Sequence, residues 1–339
     1  MAKNKMFAPN KSYIQNGMIL LAGFILLLLG FLLSISVGSA QIHWWNVWES
    51  LFSSQSTKES LIVSTIRLPR TVLAAIIGAN LAVAGAIMQA ITQNPLASPQ
   101  LFGVNAGAAL TVVGGIVLFP ALGPTELVMV AFIGAGLGGA IVYSLGAMGG
   151  LTPVKLALAG MSVHLLLSSI TEAMIIFQSH STDQILFWLA GSIDGSDWGD
   201  IQVILPWTIG GLLFAFGISR SINVLRLGDS VAKGLGQKTG WVRVGSGLIV
   251  LFLAGSAVAV AGPIGFVGLM VPHLVRFFVG EDYRLVLPFC AIFGALLLVY
   301  ADIASRFIAF PYESPVGIVT ALLGAPFFLY LAMKERKKK

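Results

Sequence analysis

The sequence predicts an all-α protein threaded repeatedly through a lipid bilayer, and three observations carry that prediction. Of its 339 residues, 57% are hydrophobic and only 10% are Asp, Glu, Lys or Arg, against a charged share of about 25% in ordinary soluble domains. The apolar residues fall into ten runs, each close to the roughly 20 residues a helix needs to cross a hydrocarbon core. The basic residues collect between alternate runs and at both ends, so the formal charge of +6 orients a protein in a membrane and does not mark a nucleic-acid partner.

Taken in order, the spans fall near 17–38, 60–90, 98–119, 125–148, 153–178, 199–219, 240–262, 264–280, 284–306 and 315–333, and residues 1–339 form one transmembrane domain. The first run follows Lys3, Lys5 and Lys11 as a signal peptide would, but it is long and lacks a small-residue cleavage site, so it is expected to remain as a span. Placing the N-terminus in the cytoplasm puts Lys155, Arg220, Arg226, Lys233, Lys238, Arg243, Arg276, Arg284 and the Lys334–Lys339 tail inside as well. Both termini are then cytoplasmic. Trp44, Trp45, Trp48, Trp188 and Trp198 fall on the outer side, where indole rings favour the interface. Three cations break the pattern: Arg67 and Arg70 of RLPR, and Arg306, lie at the outer ends of their spans.

An offset of 177 pairs Gly78 with Gly255, Gly85 with Gly262, Pro95 with Pro272 and Gly103 with Gly280. An odd number of crossings separates the two units, which predicts an inverted repeat, a device of transporters. Runs such as GANLAVAGA supply the small residues that let membrane helices approach closely.

The one long polar insertion between spans is 220–240, RSINVLRLGDSVAKGLGQKTG. Leu227, Val231 and Leu235 recur every four residues and so share one face of a short helix. Asp229 is placed to cap its start and Gly236 its end. Such a helix is either a plug for a groove on another protein or a solvated connector. GLGQKTG within it lacks the GK[ST] ending and the preceding strand of a phosphate loop, so no ATPase is expected in this chain. Ser162 and His164 of GMSVH sit on different helix faces, His273 is isolated, and the single Cys290 excludes an intrachain disulfide, so neither a catalytic site nor a metal site is expected. Two acids lie well inside apolar runs. Asp302 can pair with Arg306 four residues on, and Glu172 is open between a buried hydrogen-bonding role and a cavity lining.

Arg67-Leu-Pro-Arg70, AGAIMQAITQNPLASPQLFG, GPIGFVGLMVPHLVRFFVGEDYR, ADIASR and ESPVGIVTALLGAPFF, in that order along the chain, resemble the FecCD family, the permeases of binding-protein-dependent ABC importers for iron-siderophores, haem and cobalamin. The resemblance implies a ten-span subunit that pairs with a second permease, identical or paralogous. It also implies two cytoplasmic ATPases that bind ATP and magnesium, an extracytoplasmic solute-binding protein, and no cofactor in this chain. Leu227, Gly228, Asp229, Val231, Ala232, Leu235 and Gly236 match the coupling helix. Arg67, Arg70 and Arg306 match arginines that receive acids of the binding protein. Asn94 and Leu96, with Thr152, match the cytoplasmic gate. Phe102 and Ser314 stand where the family has leucine, which bears on local packing near the gate. The expected cargo is an iron(III)-siderophore, and the alternative is a secondary transporter driven by an ion gradient.

Overall fold

The computed structural model describes residues 13–37, 57–148, 153–177, 182–310 and 312–336. Among these residues the only β pairing is an isolated bridge between Ala309 and Tyr312. The rest is helix and turn, as a bilayer demands of backbone whose polar groups must be satisfied internally.

Helix α1 is Tyr13–Ser36 and α2 is Lys58–Ile91. They are followed by α3 (Val104–Leu118), α4 (Pro124–Ala147), α5 (Pro153–Phe177), α6 (Thr182–Leu189) and α7 (Trp198–Gly217). The segment between spans folds as α8 (Ser219–Leu225) and α9 (Asp229–Gly234). Helices α10 (Thr239–Ala261), α11 (Val267–Val279), α12 (Tyr283–Ile308) and α13 (Val316–Arg336) complete the chain. Among the described residues, seven helices are long and apolar enough to cross a membrane, and α3, α11 and the Val316–Leu331 part of α13 are apolar but shorter. These ten are the ten predicted runs. Helix α3 starts at Val104 rather than near 98, because Pro99–Phe102 forms a 3₁₀ turn and Gly103 follows with a left-handed φ of 69°. The eight-residue α6 lies outside the predicted spans.

Helix α2 is the axis of the bundle. From Pro69 to Ile91 nearly every side chain is buried, and α12, α10, α11 and α7 pack around it. Two glycines set the closest crossings: a methyl group on Gly78 would overlap the Gly294 carbonyl of α12, and one on Gly85 would overlap the Gly268 backbone of α11. Seven residues apart, they lie on nearly the same face of α2, so α12 and α11 share one side of it. The lone cysteine is a small core residue, with Cys290 fully buried in α12.

The internal repeat is only partly visible in local structure. Gly78 and Gly255 both lie within helices, and Gly103 and Gly280 both take left-handed φ. Gly85, however, is mid-helix, whereas Gly262 has φ 68° just beyond the end of α10. Pro95 sits in a turn and Pro272 within α11. Register is lost where α10 breaks at Gly262 while α2 runs on to Ile91.

Candidate functional site

The predicted functional residues fall at two opposite ends of the bundle. At one end, α8 and α9 form the polar segment. Helix α9 covers six residues, and its N-cap is Gly228, with φ 106°. Asp229 does not cap the helix; it is the first helical residue, and its carboxylate accepts from Arg243 Nη2 of α10 at 2.8 Å. An ion pair with a buried guanidinium outbids the local cap. The other terminus ends as predicted: Gly236, with φ 79°, donates to Lys233 O at 2.9 Å and Gln237 N to Ala232 O at 2.9 Å, a Schellman closure. Ala232 is buried beneath, while Leu227, Val231 and Leu235 are 62%, 46% and 65% exposed. The segment thus presents an apolar face outward from a base fastened to the bundle.

The fastening is polar. Asn223 of α8 donates from Nδ2 to Asp282 Oδ1 at 2.6 Å, and its Oδ1 accepts from Tyr283 N at 2.8 Å. Arg226 donates to Glu281 through both the backbone oxygen, at 2.8 Å, and the carboxylate, at 2.7 Å. Asp282 caps α12 through the Arg284 amide, and the Arg284 guanidinium beside it holds its carboxyl down at about 2, helped by Asn223.

The predicted gate turn meets this same end. Helix α2 closes with Gln93 N donating to Ala90 O and Asn94 N to Gln89 O, each at 3.2 Å. Glycine usually holds the left-handed position of such a closure; here Gln93 takes it, with φ 51°. Asn94 Oδ1 accepts from Leu96 N at 3.0 Å, an Asx turn. Gln93 Nε2 reaches Leu225 O of α8 at 3.4 Å, so turn and polar segment touch. A cavity of about 270 Å³ beside them is lined by Gln89, Gln93, Arg226, Arg276, Glu281 and Tyr283, among others. Thr152 lies outside the described residues.

At the opposite end stand Arg67, Arg70 and Arg306, which are 5%, 5% and 6% exposed. A π-helical turn at Val63–Arg67 precedes Pro69, which has no N–H to close a regular turn. Arg67 and Arg306 crown the C-terminus of α1. Arg67 Nη1 donates to Ile35 O at 2.7 Å and Ser36 O at 3.0 Å, and Arg306 Nη1 to Ser34 O at 2.7 Å and Val37 O at 2.8 Å. The last carbonyls of a helix are otherwise unpaired and carry its negative dipole end.

Arg70 meets carboxylates instead. Its Nε and Nη2 donate to Asp302 Oδ1 at 3.0 and 2.8 Å, and its Nη1 donates to Asp194 at 3.0 Å and to Glu313. Asp302 also accepts from Arg306, the pairing expected from their spacing. Three guanidinium groups and three carboxylates thus gather at this end, with ion pairs made by Arg70 and Arg306 while Arg67 is bonded to the α1 carbonyls. The two loop acids crowd each other. Burial and the neighbouring Glu313 push Asp194 up against the opposing pull of Arg70, while Glu313 lies below its usual value because Arg70 outweighs its own burial.

Sequence reasoning singled out the arginines but gave no role to Asp194, Glu313, Asn223 or Gln93. Asp194 lies between Trp188 and Trp198, and Glu313 opens ESPVG, and nothing local in either stretch points to Arg70. Glu172 lies on the exposed flank of α5, not in the core of the chain.

The sequence pattern of the FecCD transport family matches residues 26–334. The Fe(3+)-citrate import system permease protein YfmD of Bacillus subtilis (strain 168) is 56% identical over 322 residues, covering 95% of this chain and 96% of that protein. The iron(3+)-hydroxamate import system permease protein FhuB of the same organism is 50% identical, covering 94% of this chain and 84% of its own. A solved metal-chelate type ABC transporter in an inward-facing conformation superposes with a TM-score of 0.83 at 28% identity, over 94% of this chain and 99% of that one.

Proposed function

Because the chain belongs to the FecCD transport family, we propose that it is the membrane permease of a binding-protein-dependent ABC importer and that its cargo is an iron(III) chelate. Citrate and hydroxamate are named for its relatives, and both present iron through oxygen ligands. The observation that carries the mechanism is the exposed apolar face of Leu227, Val231 and Leu235 on a segment bonded to the N-cap of α12. An apolar face at the membrane surface, with its base held by charge-assisted bonds, suits a groove on a moving partner. That partner would be a cytoplasmic ATPase, which would supply ATP binding and hydrolysis. Both termini would then be cytoplasmic, and the arginine cluster would lie on the outer face, where Arg67, Arg70 and Arg306 would form the docking site for acids of a solute-binding protein.

In this reading the cycle alternates between two packings of the bundle. Closure of paired ATPases shifts α9, α8 carries the shift to α12 and to the turn at Asn94 and Leu96, and cargo passes between two permeases. An ion-driven carrier would instead want an acid free to titrate in mid-membrane. Its candidate, Glu172, lies on the exposed flank of α5 and not in the core of the chain, and Asp302 is paired with Arg70 and Arg306 at the far end of the bundle, which weighs against it.

The test is reconstitution. The chain is copurified with its ATPase and binding protein and placed in vesicles; ferric citrate should then accumulate against its gradient only when ATP is present on the ATPase side. Accumulation that persists without ATP and collapses with a proton or sodium gradient refutes the proposal.

A further inference from the structure

The docking arginines are not vacant. Arg70 has five N–H donors; Nε and one on Nη2 go to Asp302, and Nη1 serves both Asp194 and Glu313. An incoming carboxylate therefore finds a guanidinium whose outward donors are already taken, within a cluster whose charges balance.

The three resident acids differ in how they are held. Asp302 has a side chain only 1% exposed, is fixed on α12 and neutralises Arg306 as well, so removing it would strand two buried charges. Asp194 and Glu313 come from the loops between α6 and α7 and between α12 and α13, with side chains 44% and 27% exposed. The first loop is tied to the start of α13, where the second ends, since Gly317 N donates to Gly191 O at 2.9 Å, and the two carboxylates press on the same Nη1. Asp194 also borders a cavity of about 490 Å³, whose wall includes Ser192, Ser196 and Asp200. It has a polar space to turn into.

We propose that Asp194 and Glu313 are stand-in ligands for Arg70, occupying the site that an acid of the binding protein takes over, so that docking is an exchange of one carboxylate for another. This rests on the docking role assigned above to Arg67, Arg70 and Arg306. Exchange keeps the outward donors of Arg70 occupied while the permease is unliganded and turns docking into a local rearrangement of two loops. Binding is then weaker than the arginines alone would give, because each new pair costs an old one. Asp302 stays in place throughout.

The test uses the transporter in nanodiscs with the binding protein recovered in the copurification. Affinity is measured for the wild type, Glu313→Gln and Asp194→Asn, and the folding of each is checked by the heat resistance of Cys290 to a thiol dye. Removing a competing charge-assisted bond should tighten docking about tenfold for Glu313→Gln, and Asp194→Asn should shift it in the same direction. Affinity that is unchanged or weaker in both well-folded variants overturns the exchange alone; weaker binding would mean that the acids contact a basic group on the partner directly. Absence of wild-type binding overturns the docking role and the exchange with it.

Discussion

Replacing Asp302 by asparagine should loosen the whole outer end of the bundle, because this one carboxylate faces two buried guanidinium groups. It accepts from Arg70 at 3.0 and 2.8 Å and from Arg306 one turn away. Asparagine keeps the size and one acceptor oxygen but loses the charge and turns an amide donor toward cations. Breaking a buried ion pair from one side costs about 3–5 kcal/mol. Asp194 and Glu313 still compensate Arg70, so the lower end, about 3 kcal/mol, is expected, or roughly a hundredfold in the population of opened molecules. The chain contains its own reporter. Cys290 is the single cysteine, buried on the same helix about 18 Å from Asp302 at the usual helical rise. The rate at which a thiol-reactive fluorophore labels Cys290 in detergent follows the open fraction when reclosing is fast. Asp302→Asn should raise that rate toward a hundredfold, whereas Glu313→Gln should change it by less than tenfold. Labelling of Asp302→Asn within twofold of wild type would refute the view that Asp302 holds this end together.

Four further outcomes follow from the geometry. Gly294→Leu forces a branched side chain into the Gly78 backbone and should destabilise the crossing by about 1–3 kcal/mol or more, read by the same labelling; Gly17→Ala, which meets open space, should not. Val231→Asp should leave labelling unchanged, since Val231 is 46% exposed, but should cut cargo moved per ATP at least tenfold in the reconstituted transporter. Gln93→Gly removes a left-handed non-glycine residue worth about 1–2 kcal/mol of strain; it should stabilise the chain, and a slower labelling rate checks this. Asp282 ionises near 2 rather than 3.8, so its contribution to stability is complete above the higher value and lost as pH falls toward the lower. The wild-type melting temperature should fall over that acid range, with a smaller fall in Asp282→Asn.

The spans were legible because a bilayer leaves the chain one economical solution, and ten apolar runs became ten helices with ends displaced by a few residues. The largest displacement, at α3, comes from Pro99 and the left-handed Gly103, signals of turn geometry that an apolar run conceals. The existence of α9 was legible from the spacing of Leu227, Val231 and Leu235, but the helix is shorter than that spacing implies, with only Val231 inside it and Leu235 at its C-cap, and Asp229 was assigned to the wrong partner because Arg243 lies a further 14 residues along. The arginine cluster marks the limit. Charge distribution alone identified Arg67, Arg70 and Arg306 as exceptional. The Asp302–Arg306 pair was readable from its spacing, but the partners of Arg70 lie 124, 232 and 243 residues away, so no local pattern could show that Arg70 is neutralised within the chain.

Helix α12 connects the two ends. It has 26 residues, about 39 Å at the helical rise. Its first residues are bonded to α8 by Asn223 and its last turns to α2 by the Arg70–Asp302 pair. Between these points the two helices cross at Gly78 and Gly294, so closely that a methyl group on either glycine would overlap the other's backbone. Helix α2 in turn ends in the Gln93 turn, which touches α8 again through Leu225. The three contacts close a loop in which α2 and α12 are two sides and α8 is the base. A push on α9 therefore has two outlets: it breaks the Asn223 and Arg226 bonds, or it moves α2 and α12 together and the arginine cluster with them. All but the Tyr283–Asn223 bond involve a charge, and such bonds are worth about 1.5–3 kcal/mol each before solvent weakens them, whereas packed helices shift as rigid bodies at small cost when their crossings are preserved. Motion of the pair is the cheaper outlet, which gives the arginine end a physical means of responding to what happens at α9.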